Sequence, residues 1–308
     1  MTRSLSRRAL FRAGACAFTL ALTLAPLLAP PPGGRAFAAS EDAVLGESRR
    51  MVAVGGSVTE IVYALGEQAR LVARDSTSLF PEAAQDLPDV GYMRALSPEG
   101  VLSVDPDGIL ALEGSGPPEA VAVLRTASIP MVTIPETYDR AGILAKIGAV
   151  GKAIGADAQA EALASSVARD LDAATAATAG ITDRKKVLFI LSLQGGKVLA
   201  SGSGTAADGI IALAGGVNAV TAFQGYKQMT DEAVIEAAPD VVLMMDRGGD
   251  HDASLGELMA HPAIGATPAA ATRSLVCMDG GYLLGFGPRT AAAARELAMR
   301  LYGDTTSN

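Results

Sequence analysis

Residues Arg50–Gly66 read RMVAVGGSVTEIVYALG: an apolar run, a glycine pair, and an amphipathic stretch closed by another glycine. Arg50–Val54 has the length and composition of a buried strand, and Gly55-Gly56 turns the chain out of it. Ser57, with Glu60 three residues on, has the form of a capping box. Ile61, Tyr63, Ala64 and Leu65 continue the helix and Gly66 stops it. The alternation carries on through a strand at Leu71–Ala73, a short helix at Ser97–Leu102, a strand at Gly108–Leu112, a helix at Pro118–Thr126 and a strand at Ile129–Ile134. Strand and helix in turn is the pattern of a parallel sheet covered by helices.

The same pattern starts again further on. Lys186–Leu191 is a strand, Thr205–Ala214 a helix ended by Gly215-Gly216, Asp231–Ala237 a helix, and Val241–Met245 and Ser274–Met278 are strands before a closing helix at Arg289–Leu301. The segments VLSVDPDGIL (Val101–Leu110) and VIEAAPDVVL (Val234–Leu243) match in form, each a helix, a proline-aspartate turn and an apolar strand. Two similar α/β lobes with mainly parallel sheets follow. Between them Ala141–Ala177 is alanine-rich and free of proline, and Ala156–Ala177 also lacks glycine. That stretch predicts one long helix at 156–177, joining an N-terminal lobe at 39–155 to a C-terminal lobe at 178–308. A rigid helical joint of this kind predicts a modest hinge motion.

Residues 1–38 have a different character. MTRSLSRRALFRAG is basic and free of acids, Ala13–Ala29 is apolar and uncharged, and PPPGG precedes Ala36-Phe37-Ala38. A basic start, an apolar middle and an A-x-A exit make a secretory signal, cut after Ala38. The apolar run is short of the roughly 20 residues a membrane span needs, and Pro26 and Pro30–Pro32 interrupt its end. Arg7-Arg8 within SRRALFR is close to the twin-arginine export pattern, with Leu10-Phe11 in reversed order. Cys16 lacks the leucine three residues before it that a lipoprotein signal carries. Cleavage takes five of the 25 basic residues and none of the 33 acids, so 20 bases face 33 acids, a net of −13. That balance excludes nucleic acid as a partner, because its phosphates need clustered Lys and Arg. Cys277 is then the one remaining cysteine; its apolar setting predicts a buried strand position.

Residues able to do covalent chemistry are scarce. Of the two histidines, His251 lies in the polar loop GGDHDASLGE, between Asp250 and Asp252, and His261 stands beside Pro262. No HExxH, GxSxG, CxxC or GxxxxGK[ST] is present, so an enzyme, whether haem-using or metal-using, is the less favoured class. Tyrosine is more informative, since the chain holds six and no Trp. Tyr92 sits in PDVGYMRALSPEG, a turn-rich loop with Gly91 before it and Arg94 two residues after. A phenolate can serve as an axial ligand to haem iron. Its ordinary pKa, near 10, requires help from Fe(III) and from a neighbouring cation. Tyr63, on the apolar face of its helix, reads as core.

Six motifs together resemble the periplasmic haem-binding proteins of bacterial haem ABC importers. They are GGSVTEIVYALG, RDSTSLFPEAAQDLPDVGYMRALSPEGVLS, EGSGPPE, GTAADGIIALAGGVNA, APDVVLMMD and MDGGYLLGFGPRT, spread from about Arg50 to Tyr302. TEIVYALG and the A-P-D strand are shared with siderophore- and cobalamin-binding relatives, whereas GYMRALSPEG and DGGYLLGFGPR look specific to the haem branch. The resemblance implies two α/β lobes bridged by one long helix, a class III periplasmic binding protein. Its cargo would be haem b in the cleft, with Tyr92 as the axial iron ligand. By the same resemblance Arg94 meets a propionate, Met93 packs on the porphyrin, Arg247 hydrogen-bonds the ligand tyrosine, and Tyr282 lines the cleft from the C-terminal lobe. Ser192–Gly196 is a loop without the histidine that some members use for a second haem, which leaves one five-coordinate haem as the expectation. The implied partners are an inner-membrane permease and its ATPase, met by acids such as Glu82, Glu99 or Glu232. The expected protein is a periplasmic monomer. A ferric siderophore or cobalamin is the alternative cargo.

Overall fold

A computed structural model describes residues 45–246 and 255–303, all within one compact unit of the chain. The leader expected at 1–38, with its arginine pair and Cys16, lies outside the described residues, as do Arg247, Asp250, His251 and Asp252. Among the described residues no helix is long and apolar enough to cross a membrane.

The N-terminal lobe alternates as the sequence predicts: β1 (Met51–Val54), α1 (Gly56–Ala64), β2 (Leu71–Arg74), α2 (Pro98–Leu102), β3 (Gly108–Leu112), α3 (Pro118–Thr126) and β4 (Met131–Ile134). The four strands are all parallel, in the order β2-β1-β3-β4. The central strands β1 and β3 are buried along their whole length, because helices cover both faces of a parallel sheet. This burial is why both read as unbroken apolar runs.

The chain then forms α4 (Arg140–Ile154) and α5 (Asp157–Thr178), separated at Gly155, whose φ of 74° gives α4 a left-handed C-terminal stop. α4 packs on α1 and β4, whereas α5 packs along the last helix of the chain. The 22-residue α5 is the long helix between the lobes.

The C-terminal lobe contains β5 (Lys186–Gln194), β6 (Lys197–Ser201), α6 (Ala206–Leu213), β7 (Val217–Asn218), β8 (Tyr226–Met229), α7 (Asp231–Ala237) and β9 (Val241–Asp246). Short helices α8 (Leu255–Ala260), α9 (Pro262–Gly265) and α10 (Pro268–Ala271) follow, then β10 (Leu275–Asp279), α11 (Gly280–Leu284) and α12 (Thr290–Tyr302). Its sheet runs β10-β9-β5-β6-β8, with β7 also on β5. β10, β9, β5 and β7 are parallel, while β6 runs antiparallel to both β5 and β8.

Three local expectations are corrected. Ser192–Gly196 is not a loop: β5 extends to Gln194, and Gly195-Gly196, at φ 57° and 72°, forms a two-residue hairpin turn into β6. The capping box of α1 does not form. Gly55 is the N-cap, and the N–H groups of Gly55 and Gly56 donate to Asp75 Oδ1 (2.9 Å) and Thr77 Oγ1 (3.0 Å) from the next strand-helix turn. Cys277 is exposed, because β10 is an edge strand whose burial alternates with period two.

Candidate cargo site

Most of the residues able to meet a ligand lie on or beside the connections that leave the strands. After β2 the chain makes a double-backed loop. Asp75, fully buried, accepts hydrogen bonds from the N–H groups of Gly55 and Thr77 and from the hydroxyls of Thr77 and Ser78 (2.7–3.0 Å). Ser78 Oγ also contacts Thr59 Oγ1 at 2.7 Å. These bonds fix the segment that carries Leu79 and Phe80, which are 54% and 43% exposed.

The tyrosine loop is pinned to that segment. Ser76 N–H donates to Gly91 O (3.0 Å), and Gly91 N–H donates to Asp89 Oδ1 (2.8 Å). Beyond Tyr92, Gly116 N–H donates to Met93 O (2.9 Å) and Leu96 N–H to Gly116 O (2.8 Å). The backbone on both sides of Tyr92 is therefore held, while its ring remains 47% exposed. Gly91, at φ 101°, makes the turn that presents it. Met93 is 8% exposed and packs in the lobe core. A methionine sealed in this way offers little surface to a porphyrin.

Arg94 is exposed, and its charge reaches both lobes. Burial raises the Glu136 carboxyl above its ordinary value, opposed by Lys146 and, more weakly, by Arg94. Burial likewise raises the phenols of Tyr138 and Tyr226, with Arg94 again pulling the other way. Tyr226 belongs to β8 of the C-terminal lobe, stacks edge-on against Phe189 (6.4 Å between centroids), and hydrogen-bonds at the start of α6 with Thr205 and the Ala207 N–H. The Arg94 charge is thus felt by Tyr226 in the opposite lobe.

Tyr282 is half-buried in the first turn of α11, its N–H held by Asp279 Oδ1 at 2.7 Å. Its ring partner is Arg289, with the guanidinium 5.3 Å from the ring centroid. Phe286 pairs instead with Tyr138, at 5.3 Å and nearly edge-on.

Two buried polar bridges join the lobes beneath these residues. Lys146 has no exposed surface; its Nζ pairs with Glu136 Oε1 (2.7 Å) and donates to Ser57 Oγ (3.2 Å) and Phe286 O (3.0 Å). Arg289 Nε pairs with Glu60 Oε2 (3.0 Å), and Arg289 N–H donates to Glu60 Oε1 (3.2 Å). His261 has a structural part: Nδ1 caps α9 and Nε2 meets Gly196 O at 2.9 Å. Among the described residues no group of three or more His, Cys, Asp or Glu could hold a metal ion.

The description Periplasmic binding protein matches residues 51–281, most of the chain, ending one residue before Tyr282. The chain belongs to that family. It is a family of binding proteins, not of enzymes. Among solved structures, this periplasmic binding protein is similar to the periplasmic haem-binding protein BhuT in complex with two haems. The two are 40% identical with a TM-score of 0.78, over 84% of this chain and 99% of that one. The periplasmic haem-binding protein RhuT from Roseiflexus sp. RS-1, in apo form, is 35% identical with a TM-score of 0.79, over 84% and 99% of the two chains. An uncharacterized ABC transporter substrate-binding lipoprotein, YvrC of Bacillus subtilis, is 28% identical over 269 residues, 84% of this chain and 82% of that one.

Sequence reasoning about this binding protein pointed to Tyr92, Arg94 and Tyr282 and did not single out Phe80, Tyr226, Lys146, Glu60 or Arg289 as site residues. Phe80 left a trace: an exposed aromatic beside a proline, in a stretch otherwise rich in Ser, Thr, Asp and Glu. The polar bridges left none, since their partners lie up to 229 positions apart.

Proposed function

We propose that this periplasmic binding protein is the substrate-binding component of an ABC importer, capturing haem b outside the cytoplasmic membrane and handing it to a permease and its ATPase. The observation that carries the reading is Tyr92, an exposed phenol whose backbone is hydrogen-bonded on both sides. A ligand held so before its metal arrives loses little freedom on binding. Fe(III) supplies the charge that favours the phenolate, and a phenolate is an established axial ligand to haem.

Arg94 lies two residues away and is free to meet a propionate, as an exposed guanidinium suits a carboxylate. Tyr282 borders the site from the C-terminal lobe, and Arg247, which lies outside the described residues, is assigned to the phenol by the family resemblance alone. Export by the twin-arginine route and a monomeric state belong to the same proposal. For docking on the permease, Glu99 and Glu232 are the matched pair, each exposed in the first turn of the helix before a proline-aspartate strand. Hydrogen bonds from Ser97 and Thr230, with backbone N–H groups at each helix start, hold both carboxyls below their ordinary value, so both are anionic.

The test is a hemin titration of residues 39–308 by absorption, wild type beside Tyr92→Ala. A saturable high-spin ferric spectrum at one haem per chain is expected in the wild type, lost or shifted in the variant. An unchanged spectrum in the variant would move the iron ligand elsewhere. Absence of saturable binding in the wild type would sink the haem reading in favour of a ferric siderophore or cobalamin.

A further inference from the structure

The side chain of Arg289 is held in an unusual way. Its Nε and backbone N–H are both taken by the Glu60 carboxylate, while Phe80 lies over the guanidinium at 3.6 Å and Tyr282 lies 5.3 Å from it. Three elements from two lobes therefore fix the plane of one fork: α1, the loop after β2, and α11. Among the described residues the two terminal nitrogens of that fork have no hydrogen-bond partner, and the side chain keeps 28% of its surface. A strut between lobes needs the Glu60 contact only. Two unpartnered donors on a pre-oriented guanidinium match a carboxylate, which takes them as a parallel pair.

The neighbouring surface says what kind of molecule carries that carboxylate. Leu79 and Phe80 are among the most exposed large apolar side chains of the described residues, and they are adjacent. They are not loosely held, because the Asp75 hydrogen bonds fix their backbone and Ser76 ties it to the Tyr92 loop. A rigid apolar platform beside a fixed cationic fork fits a flat hydrophobic molecule with an acidic edge.

We infer that Arg289 is a cargo-binding residue that pairs with one propionate of the porphyrin through its terminal nitrogens, and that Leu79 and Phe80 form the apolar platform beside it. The inference rests on the haem reading above. It adds a carboxylate-binding group from the C-terminal lobe to Arg94 of the N-terminal lobe. Glu60 is the positioning residue, holding the fork without touching cargo.

The experiment uses two ligands, hemin and hemin dimethyl ester, whose propionates are methylated and uncharged. Both are titrated into residues 39–308 as wild type, Arg289→Gln, Glu60→Gln and Phe80→Ala. Wild type should favour hemin. Arg289→Gln should weaken hemin by about tenfold or more, the worth of a charge-assisted pair, and leave the ester within about twofold. Phe80→Ala should weaken both ligands together. Glu60→Gln removes the ion pair between the lobes yet keeps the guanidinium, and should retain the preference for hemin. Equal loss of both ligands in Arg289→Gln would mean a purely structural arginine and overturn the inference, as would no loss of either. If wild type bound neither ligand, the haem reading itself would fall, an outcome distinct from the other two.

Discussion

A lysine ammonium with no exposed surface keeps its charge only if the protein replaces the water it has lost. Lys146 has three replacements: Glu136 Oε1 at 2.7 Å, Phe286 O and Ser57 Oγ. Burial pulls its pKa down and Glu136 pushes it back up, while burial raises Glu136 and Lys146 lowers it. Each is thus the condition for the other's charge. Lys146→Met should cost about 3–5 kcal/mol at neutral pH, the usual result of leaving one buried charge unpaired. Lys146→Met with Glu136→Gln should recover part of the loss, and urea denaturation of both variants reads the difference. The pH dependence follows from the sign of the carboxyl shift. A raised folded pKa contributes stability below the ordinary carboxyl value of 4.5, and that contribution is lost as pH rises through the folded value. Without Lys146 the carboxyl rises further, so the gap between variant and wild type should widen as pH rises above the ordinary carboxyl value. A gap independent of pH would show that Glu136 is not the group left stranded.

The segment between β2 and the Tyr92 turn has no regular structure beyond a single 3-10 helix at Glu82–Asp86, yet hydrogen bonds anchor it firmly. Asp75 accepts four hydrogen bonds there, two of them from backbone N–H groups that would otherwise be orphaned at the start of α1 and in the turn. Asp75→Ala strands those donors in a buried site, and a loss of roughly 2–4 kcal/mol is expected in thermal unfolding. Hemin affinity should fall as well, because the segment that presents Phe80 loses its anchor. A stable variant with wild-type affinity would show that the loop is held by something else. The same loop shows where sequence reading stops. Strands and helices were legible because burial on both faces, or on one face with period 3.6, writes itself into the order of residues. Ser57 and Glu60 had the spacing of a capping box, but the cap came from Asp75 and Thr77, and Glu60 went to Arg289. The hairpin at Gly195-Gly196 was legible in principle, since a glycine pair between two strand-like runs is its signal. Tyr92 and Arg94 stood out by residue type and by family resemblance. Lys146 and Arg289 did not, because an isolated Lys or Arg reads as surface until the fold supplies a partner far away in sequence.

One continuous hydrophobic core runs through both lobes, and tight polar contacts pin them as well. Lys146 reaches the Phe286 carbonyl, Arg289 reaches Glu60, and α6 comes against the segment before α4 at Gly209. A Cβ at position 209 would lie 2.2 Å from Tyr138 O and 2.9 Å from Phe286 Cζ, closer than any real Cβ contact to a backbone atom. The glycine is required here by space. With one ion pair, one lysine-to-carbonyl hydrogen bond and one contact that admits no side chain between them, the lobes have little room to approach further, and α5 gives no flexible strand about which to swing. Cargo must therefore enter a site near its final geometry, in keeping with the modest hinge motion that a helical joint predicts. Gly209→Ala is the smallest wedge that can be driven into this arrangement. The methyl cannot be absorbed by a rotamer change, because its nearest neighbour is a carbonyl, so the lobes must separate by enough to relieve the contact. Stability should fall by about 1–3 kcal/mol, the range for inserting a methyl into a packed site. Hemin should bind more weakly while keeping its high-spin ferric spectrum, since Tyr92 lies on the N-terminal lobe and moves with it. Solution scattering should report a larger radius of gyration for the variant than for the wild type. Unchanged scattering with wild-type affinity would mean that the lobes are not held at this contact, and that their spacing is set by α5 alone.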